Sequence, residues 1–387
     1  MPPEPENTGA EASAPIGADA SGAGPGIESD GARVVAADAG DGRRGGAGPW
    51  VLAGRRLRRN KVALFSLGVF LVIVICCVLA PVWANHVAHT GPNKTHTLEK
   101  LHEGSETKEV VEPSGVAIGP QWFAAGGKFF LGADGHLGRD EMVRLLYGGR
   151  TSLVIGIVAA IVTLILAVTC GLLAGYYGGW IDTLISRTMD VIWSFPVVLL
   201  GLALGIALAV GGLSIGPIHL KSSSIWIPTL IIGVVTTPYM ARPLRGEVLA
   251  LREKEFIEAA IAQGASGYRI MFIELMPNLI STIVVFFTLN IANNMLLEAT
   301  LSFLGAGVQP PNSSWGTMIS EGFEALYSQP LLTIIPGTAI LLTVLSINVF
   351  GDGLRDALDP KSKVRFEARA GSTAEKTEFA EIEGTGI

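Results

Sequence analysis

Charged positions are absent from six long stretches of this 387-residue chain. Residues 62–84, 151–181, 191–220, 222–241, 275–297 and 325–351 contain no Asp, Glu, Lys or Arg. About 20 apolar residues, rising about 1.5 Å each, cross the ~30 Å hydrocarbon layer of a bilayer, and each stretch supplies that length. The pattern therefore predicts six membrane-spanning helices. The apolar runs are continuous, as in residues 64–79, whereas a β-barrel would show segments of about ten residues alternating apolar with polar. The first run starts too late and is too long for a cleaved signal peptide, so it is expected to stay as the first span.

The placement of lysine and arginine orients the spans. Arg55, Arg56, Arg58, Arg59 and Lys61 crowd the entrance to the first one, which puts the N-terminus in the cytoplasm. An even number of spans returns the C-terminus to the same side. The segment between spans four and five holds Arg242, Arg245, Arg252, Lys254 and Arg269, and the segment between spans five and six holds no Lys or Arg. Both agree with that orientation. Residues 85–150 carry seven basic residues and would be external, but long loops translocate largely regardless of charge.

Composition adds an exclusion. Charged residues make up 16% of the chain, against roughly 25% in soluble globular proteins, so a soluble enzyme is not expected. Residues 1–50, rich in Gly, Ala and Pro, cannot bury enough apolar surface to offset chain entropy. They read as a disordered cytoplasmic tail, as do residues 361–387. Between the tails lie a basic entry and first span (51–84), an extracytoplasmic loop (85–150), and a five-helix core (151–360) with a cytoplasmic loop at 242–277. Within the external loop, Asp140 and Arg144 at i, i+4 predict an amphipathic helix on the outer membrane face before span two. His86, His89, His96 and His102 read as solvated loop residues rather than metal ligands, since no Cys and no helical His pair accompany them. Cys76, Cys77 and Cys170 lie in apolar stretches and read as small hydrophobes in helix packing.

Catalytic chemistry is missing from the sequence. There is no G-x-x-x-x-G-K-[ST] phosphate loop, no H-E-x-x-H, no C-x-x-C and no G-x-S-x-G. The chain is expected neither to bind ATP alone nor to act as an enzyme, with no cofactor and no metal of its own. Glu298, near the outer end of span five, reads either as a residue of a translocation path or as an acid snorkelling to the interface.

The informative polar stretch runs from Arg242 to Pro277. Phe256, Ile257, Ala260 and Ile261 make an apolar stripe at helical spacing, preceded by charges. Gly264 can adopt φ > 0 and end that helix, small Ala259 and Ala260 would let another backbone approach closely, and Ser266 can start a second helix. The residues fit a docking helix that transmits motion from a soluble partner, with a helix lying on the membrane surface as the alternative.

Glu258-Ala259-Ala260, Gly264, Ile270 and Leu275-Met276-Pro277 resemble the EAA loop of permease subunits of bacterial ABC importers. Residues 131–140, 146–153, Gly175-Tyr176-Tyr177-Gly178-Gly179-Trp180-Ile181-Asp182, 301–311, Trp315-Gly316-Thr317-Met318 and 351–360 resemble the dipeptide, oligopeptide and nickel permease C-type subunits. Together they cover roughly residues 50–360. The chain departs from many of those subunits at Glu274, where they carry histidine.

The resemblance implies an all-α integral membrane protein with the type I importer permease fold in a bacterial inner membrane, importing dipeptides or oligopeptides. It implies a second permease subunit, two ATP-binding subunits that hold ATP and Mg, and an extracytoplasmic solute-binding protein. Glu258, Ala259, Ala260, Gly264 and Ser266 would then couple to the ATPase mechanically. Nickel or another small solute, and a scaffold that transports nothing, are the alternative readings.

Overall fold

The computed structural model describes residues 49–358 apart from 104–105, 123–125, 136 and 216. The expected tails at 1–50 and 361–387 and the Asp359-Pro360 end of the C-terminal motif fall outside the described residues, except for Pro49 and Trp50. The described chain is mostly helical. Four helices are long and apolar enough to cross a membrane, and a bent pair makes a fifth.

Helix α1, Pro49–Arg59, carries the arginine cluster, and Asn60 separates it from α2, Lys61–Val78. The Asn60 side chain accepts a hydrogen bond from the Ala63 amide, an N-cap that restarts the helix. After Leu79 the chain continues as α3, Ala80–His86, with Pro81 in its first turn where the missing N–H costs nothing.

Residues 87–140 carry the hairpin of β1, Lys100–Glu103, with β2, Glu106–Glu109. They fold around Val110, Ala117, Phe129 and Ala133. Asp140 ties this segment to α4, Glu141–Tyr177. One carboxylate oxygen accepts from the Val143 amide at 3.0 Å as an N-cap, and the other accepts from the Phe129 amide at 2.6 Å. Burial raises the Asp140 pKa from its ordinary value, and the backbone N–H groups pointing at the carboxylate pull it back down. The segment that the sequence presents as a separate amphipathic helix is instead the first turns of α4. No breaker intervenes, because Gly148 and Gly149 are used for packing: a Cβ on Gly149 would lie 2.4 Å from the Trp315 ring and 2.5 Å from Cys77 Sγ. At 37 residues α4 is about 55 Å long, well over the ~30 Å of hydrocarbon.

Besides the joint at Leu79 within 62–84, two of the six stretches divide in their interior. Residues 191–220 straddle an elbow: α5, Gly179–Trp193, meets α6, Val197–Gly211, at 85°. The break is Ser194-Phe195-Pro196, where proline disfavours helix at the residue before it. Gly212, at φ +69°, ends α6, and the short hairpin of β3, Leu213–Ile215, with β4, Ile218–Leu220, follows. Residues 222–241 divide at Thr236 between α7, Trp226–Val235, and α8, Thr237–Arg252. The Thr236 hydroxyl bonds the Ile232 carbonyl and meets the Thr163 hydroxyl of α4 at 2.8 Å.

A short helix, α9, Glu255–Ala262, precedes the long α10, Gly267–Phe303. A wide π turn occupies Ile270–Leu275 of α10. It coincides with Ile273, the residue whose carbonyl the Pro277 ring displaces. Helix α11, Trp315–Glu324, starts with a reciprocal Ser314–Thr317 capping box, and α12, Leu331–Leu358, completes the bundle. Trp315, Met318, Met295, Ile291, Ile340, Ile347, Leu153 and Cys77 form a central core.

The close seam at Gly149 gives a prediction. Gly149→Ala forces the Trp315 ring or Cys77 to move, at about 1–3 kcal/mol for overpacking, and lowers the thermal midpoint of the purified protein in detergent. Gly246→Ala on α8, which meets nothing within 4 Å, leaves the midpoint unchanged or higher. Equal midpoints for the two variants would refute the seam.

Candidate functional site

Helix α9 is anchored by one residue. Ile257 is fully buried in a cluster with Leu172, Val248, Ile270, Met271, Leu275 and Leu279, which joins α4, α8 and α10. Burying such a side chain contributes about 1.5–3 kcal/mol. The expected apolar stripe splits in two. Ile257 and Ala260 turn inward, while Phe256 and Ile261 are exposed together with Glu258 and Ala259. Glu255 and Glu258 sit in the first turn, where negative charge is favoured by the helix dipole and offsets the missing side-chain cap at Lys254.

The end of α9 is locked by hydrogen bonds. Gly264 at φ +78° donates its N–H to the Ile261 carbonyl, and Ala265 donates to the Ala260 carbonyl. This pair is a Schellman closure, with Ala260 and Ala265 packed on the same cluster as its apolar contact. A Cβ on Gly264 would meet nothing within 4 Å, so glycine is required there by the backbone angle and not by space. Ser266 then caps α10 by accepting from the Arg269 amide. The turn rests on Tyr176 of the Gly175-Tyr176-Tyr177 motif, whose ring lies 3.1 Å from where a Gly267 Cβ would be.

Sequence reading passed over the surface beside this turn. Tyr268, 70% exposed, stacks on Phe272 at 4.6 Å between ring centroids, and Ile273 is exposed next to them. The i, i+4 aromatic spacing was the available signal. Phe256, Ala259 and Ile261 of α9 are exposed as well, as are Arg252, Lys254, Glu258 and Arg269 in the same stretch of chain; exposed aromatic and small apolar groups mixed with charges are typical of protein contacts.

Glu298 stands apart from that surface, on α10 toward Phe303. It is fully buried, and its two oxygens accept from the Ser152 hydroxyl of α4 at 2.8 Å and the Ser302 hydroxyl at 2.7 Å. Those hydroxyls in turn accept from the amides of Trp315 and Val308. The carboxylate thus joins α4, α10, the 304–314 loop and the start of α11. One turn earlier, Asn294 is buried with neither amide atom hydrogen-bonded among the described residues. Replacing Glu298 by Ala strands two buried hydroxyls, at about 1–3 kcal/mol each, whereas Gln keeps an acceptor. The Ala variant should therefore unfold at a lower temperature than the Gln variant in detergent, and equal losses would disprove the network's role.

Residues 167–364 match the family described as binding-protein-dependent transport system inner membrane component, and residues 48–97 match the N-terminal transmembrane domain of oligopeptide transport permease C. The chain is 36% identical over 315 residues to the dipeptide transport system permease protein DppC of Alkalihalophilus pseudofirmus, covering 81% of this chain and 91% of that one. It is also 36% identical over 315 residues to the glutathione transport system permease protein GsiD of Pectobacterium atrosepticum, covering 81% and 92%. A looser likeness links it to the solved inward-facing MetNI methionine ABC transporter, with TM-score 0.45 and 19% identity over 56% of this chain and 96% of that one.

Proposed function

Since the chain belongs to the family of inner membrane components of binding-protein-dependent transport systems, we propose that it is the permease subunit of an ATP-driven importer of short peptides. It is a multi-pass membrane protein and a transport component, not a catalytic subunit. Both relatives above are named for short peptides, a dipeptide and glutathione, which supports that cargo class.

The observation that carries the reading is α9. A helix of eight residues is too short to be stable alone, yet here it is pinned by Ile257, closed by Gly264 and left with Glu258, Ala259, Phe256 and Ile261 outward. It is a rigid knob joined directly to α8 and, through one turn, to α10. We assign it as the contact for a separate ATPase subunit, which holds ATP and Mg. Closure of two such subunits on nucleotide would push α9 and move the helices fused to it. A second permease completes the path, and an extracytoplasmic binding protein delivers the peptide.

In this reading the N- and C-termini and the 242–277 loop are cytoplasmic, the 85–140 segment is external, and the membrane is the inner one. The elbow of α5 with α6 and the joined α7 and α8 supply the third and fourth of six crossings. Glu298 is placed at the external end of the path wall, where it holds the 304–314 loop.

Two measurements test this. Vesicles carrying the complex with its ATPases and binding protein should accumulate labelled di- and oligopeptides on ATP addition, and not nickel; nickel uptake without peptide uptake would overturn the cargo. Gly264→Val strains the backbone by about 1–3 kcal/mol and should cut peptide uptake about tenfold at equal membrane insertion. Gly264→Asn, which tolerates that angle, should stay near wild type. Unchanged uptake in the Val variant removes the coupling role.

A further inference from the structure

Helix α5 makes a small apolar contact with α8, where Met189 and Ile185 pack in a cluster with Met240, Ala241 and Leu244. Met189 is its buried residue, while Trp180, Leu184 and Val191 are exposed. Polar contacts add to that packing and give it direction. Arg245 grips Asp182 through two parallel hydrogen bonds, Nε to one carboxylate oxygen at 2.5 Å and a terminal nitrogen to the other at 2.6 Å, and Ser186 donates to the same carboxylate. One turn along α8, Arg242 donates to Asp190 at 2.7 Å and stacks 3.9 Å from the centre of the Trp193 ring, which Tyr239 of α8 meets edge-on. Arg187 approaches the other Asp190 oxygen at 3.9 Å.

The position of these pairs matters more than their strength. Isolated surface ion pairs contribute little to stability, but forked arginine–carboxylate contacts fix direction as well as distance. Helix α8 is joined to α9 through Glu253 and Lys254 alone, and its Val248 shares the cluster that seats Ile257. At its other end α5 bends by 85° into α6. Helix α6 then meets the far end of α10 closely: a Cβ on Gly205 would lie 2.3 Å from the Ala306 carbonyl oxygen, and one on Gly201 would lie 3.1 Å from Leu301. A displacement of α9 therefore reaches the loop after α10 by way of α8, the two arginine–aspartate pairs, and the elbow.

We propose that Arg242 and Arg245, through Asp190 and Asp182, are positioning residues that transmit movement of the α9 helix to the bent pair α5–α6. The inference rests on the reading of the chain as an importer permease driven through α9. It assigns a transport role to charges that otherwise read only as markers of membrane orientation.

The test uses the complete transporter in vesicles, with ATP hydrolysis and peptide uptake measured side by side and the thermal midpoint of each complex recorded. Asp182→Arg and Arg245→Asp should each leave ATP hydrolysis within about twofold of wild type while uptake per ATP falls about tenfold. The exchanged pair Asp182→Arg with Arg245→Asp should recover uptake per ATP to within about threefold. Asp182→Asn, which removes charge without adding repulsion, should show the same uncoupling in milder form. Proportional loss of hydrolysis and uptake, or single variants with uptake per ATP unchanged, overturns the proposal, as does an exchange no better than the singles. A wild-type complex that hydrolyses ATP without importing peptide removes the functional reading and this one with it, whereas failure of the exchange alone removes only this one.

Discussion

Helices in lipid gain nothing from burying apolar surface against one another, because the lipid tails are as apolar as leucine. What remains is van der Waals contact, and α4 is where this chain obtains it. A Cβ at Gly149, Gly156, Gly171 or Gly175 would collide with Trp315, Met295, Leu244 or Val248, so the backbone of α4 lies directly on the side chains of α8, α10 and α11. The helix is continuous over 37 residues and serves as the fixed member against which the others are placed. The pocket that seats Ile257 and the serine that bonds Glu298 are both partly built from it.

Breaks elsewhere fall where another group satisfies the backbone or where the chain reaches an end. In lipid an unpaired N–H or carbonyl costs several kcal/mol, so a helix can stop only at such points. Thr236 marks the joint of α7 with α8, Pro196 and two residues before it form the elbow of α5 with α6, and Pro277 accompanies the π turn at the start of α10. Two of these interruptions lie within the segment from α5 to α9 and the third just after it. In the proposed reading, the uninterrupted α4 is the support and the interrupted segment the moving part.

Much of this was legible in the sequence, because charge-free length reports directly on the cost of burying charge in lipid. Most of 151–181, 275–297 and 325–351 falls in α4, α10 and α12, whose limits differ from those stretches by several residues, while 62–84 divides at Leu79 between α2 and α3. Gly264 and Ser266 were readable for the same reason: a left-handed residue and an N-cap are local chemistry. Gly171 with Gly175 and Gly201 with Gly205 stand four apart in the sequence, but spacing does not say which helix each meets. The elbow and the β3–β4 hairpin were hidden because an apolar run looks the same whether it continues straight or folds back. The split of the α9 stripe was hidden because helical spacing shows which residues share a face and not which face meets the protein.

The few charges near the bundle are best understood through this difference between local and distant information. Apolar contact in a membrane is nearly isotropic: Leu244 would pack almost as well with α5 rotated or shifted by a few ångströms. A forked pair such as Arg245 with Asp182 permits one register, and so does a carboxylate such as Glu298 shared by hydroxyls from two helices. Arg144 follows the same rule at the start of α4, meeting Asp134 at 3.0 Å and Glu321 at 2.6 Å and so fixing the 87–140 segment and α11 to one another. Sequence reveals that such charges exist and are rare, and only the fold reveals that each joins elements that apolar packing alone would leave free to slide. In a chain with 16% charged residues, the polar contacts set the relative placement of helices whose cohesion comes from glycine-mediated packing.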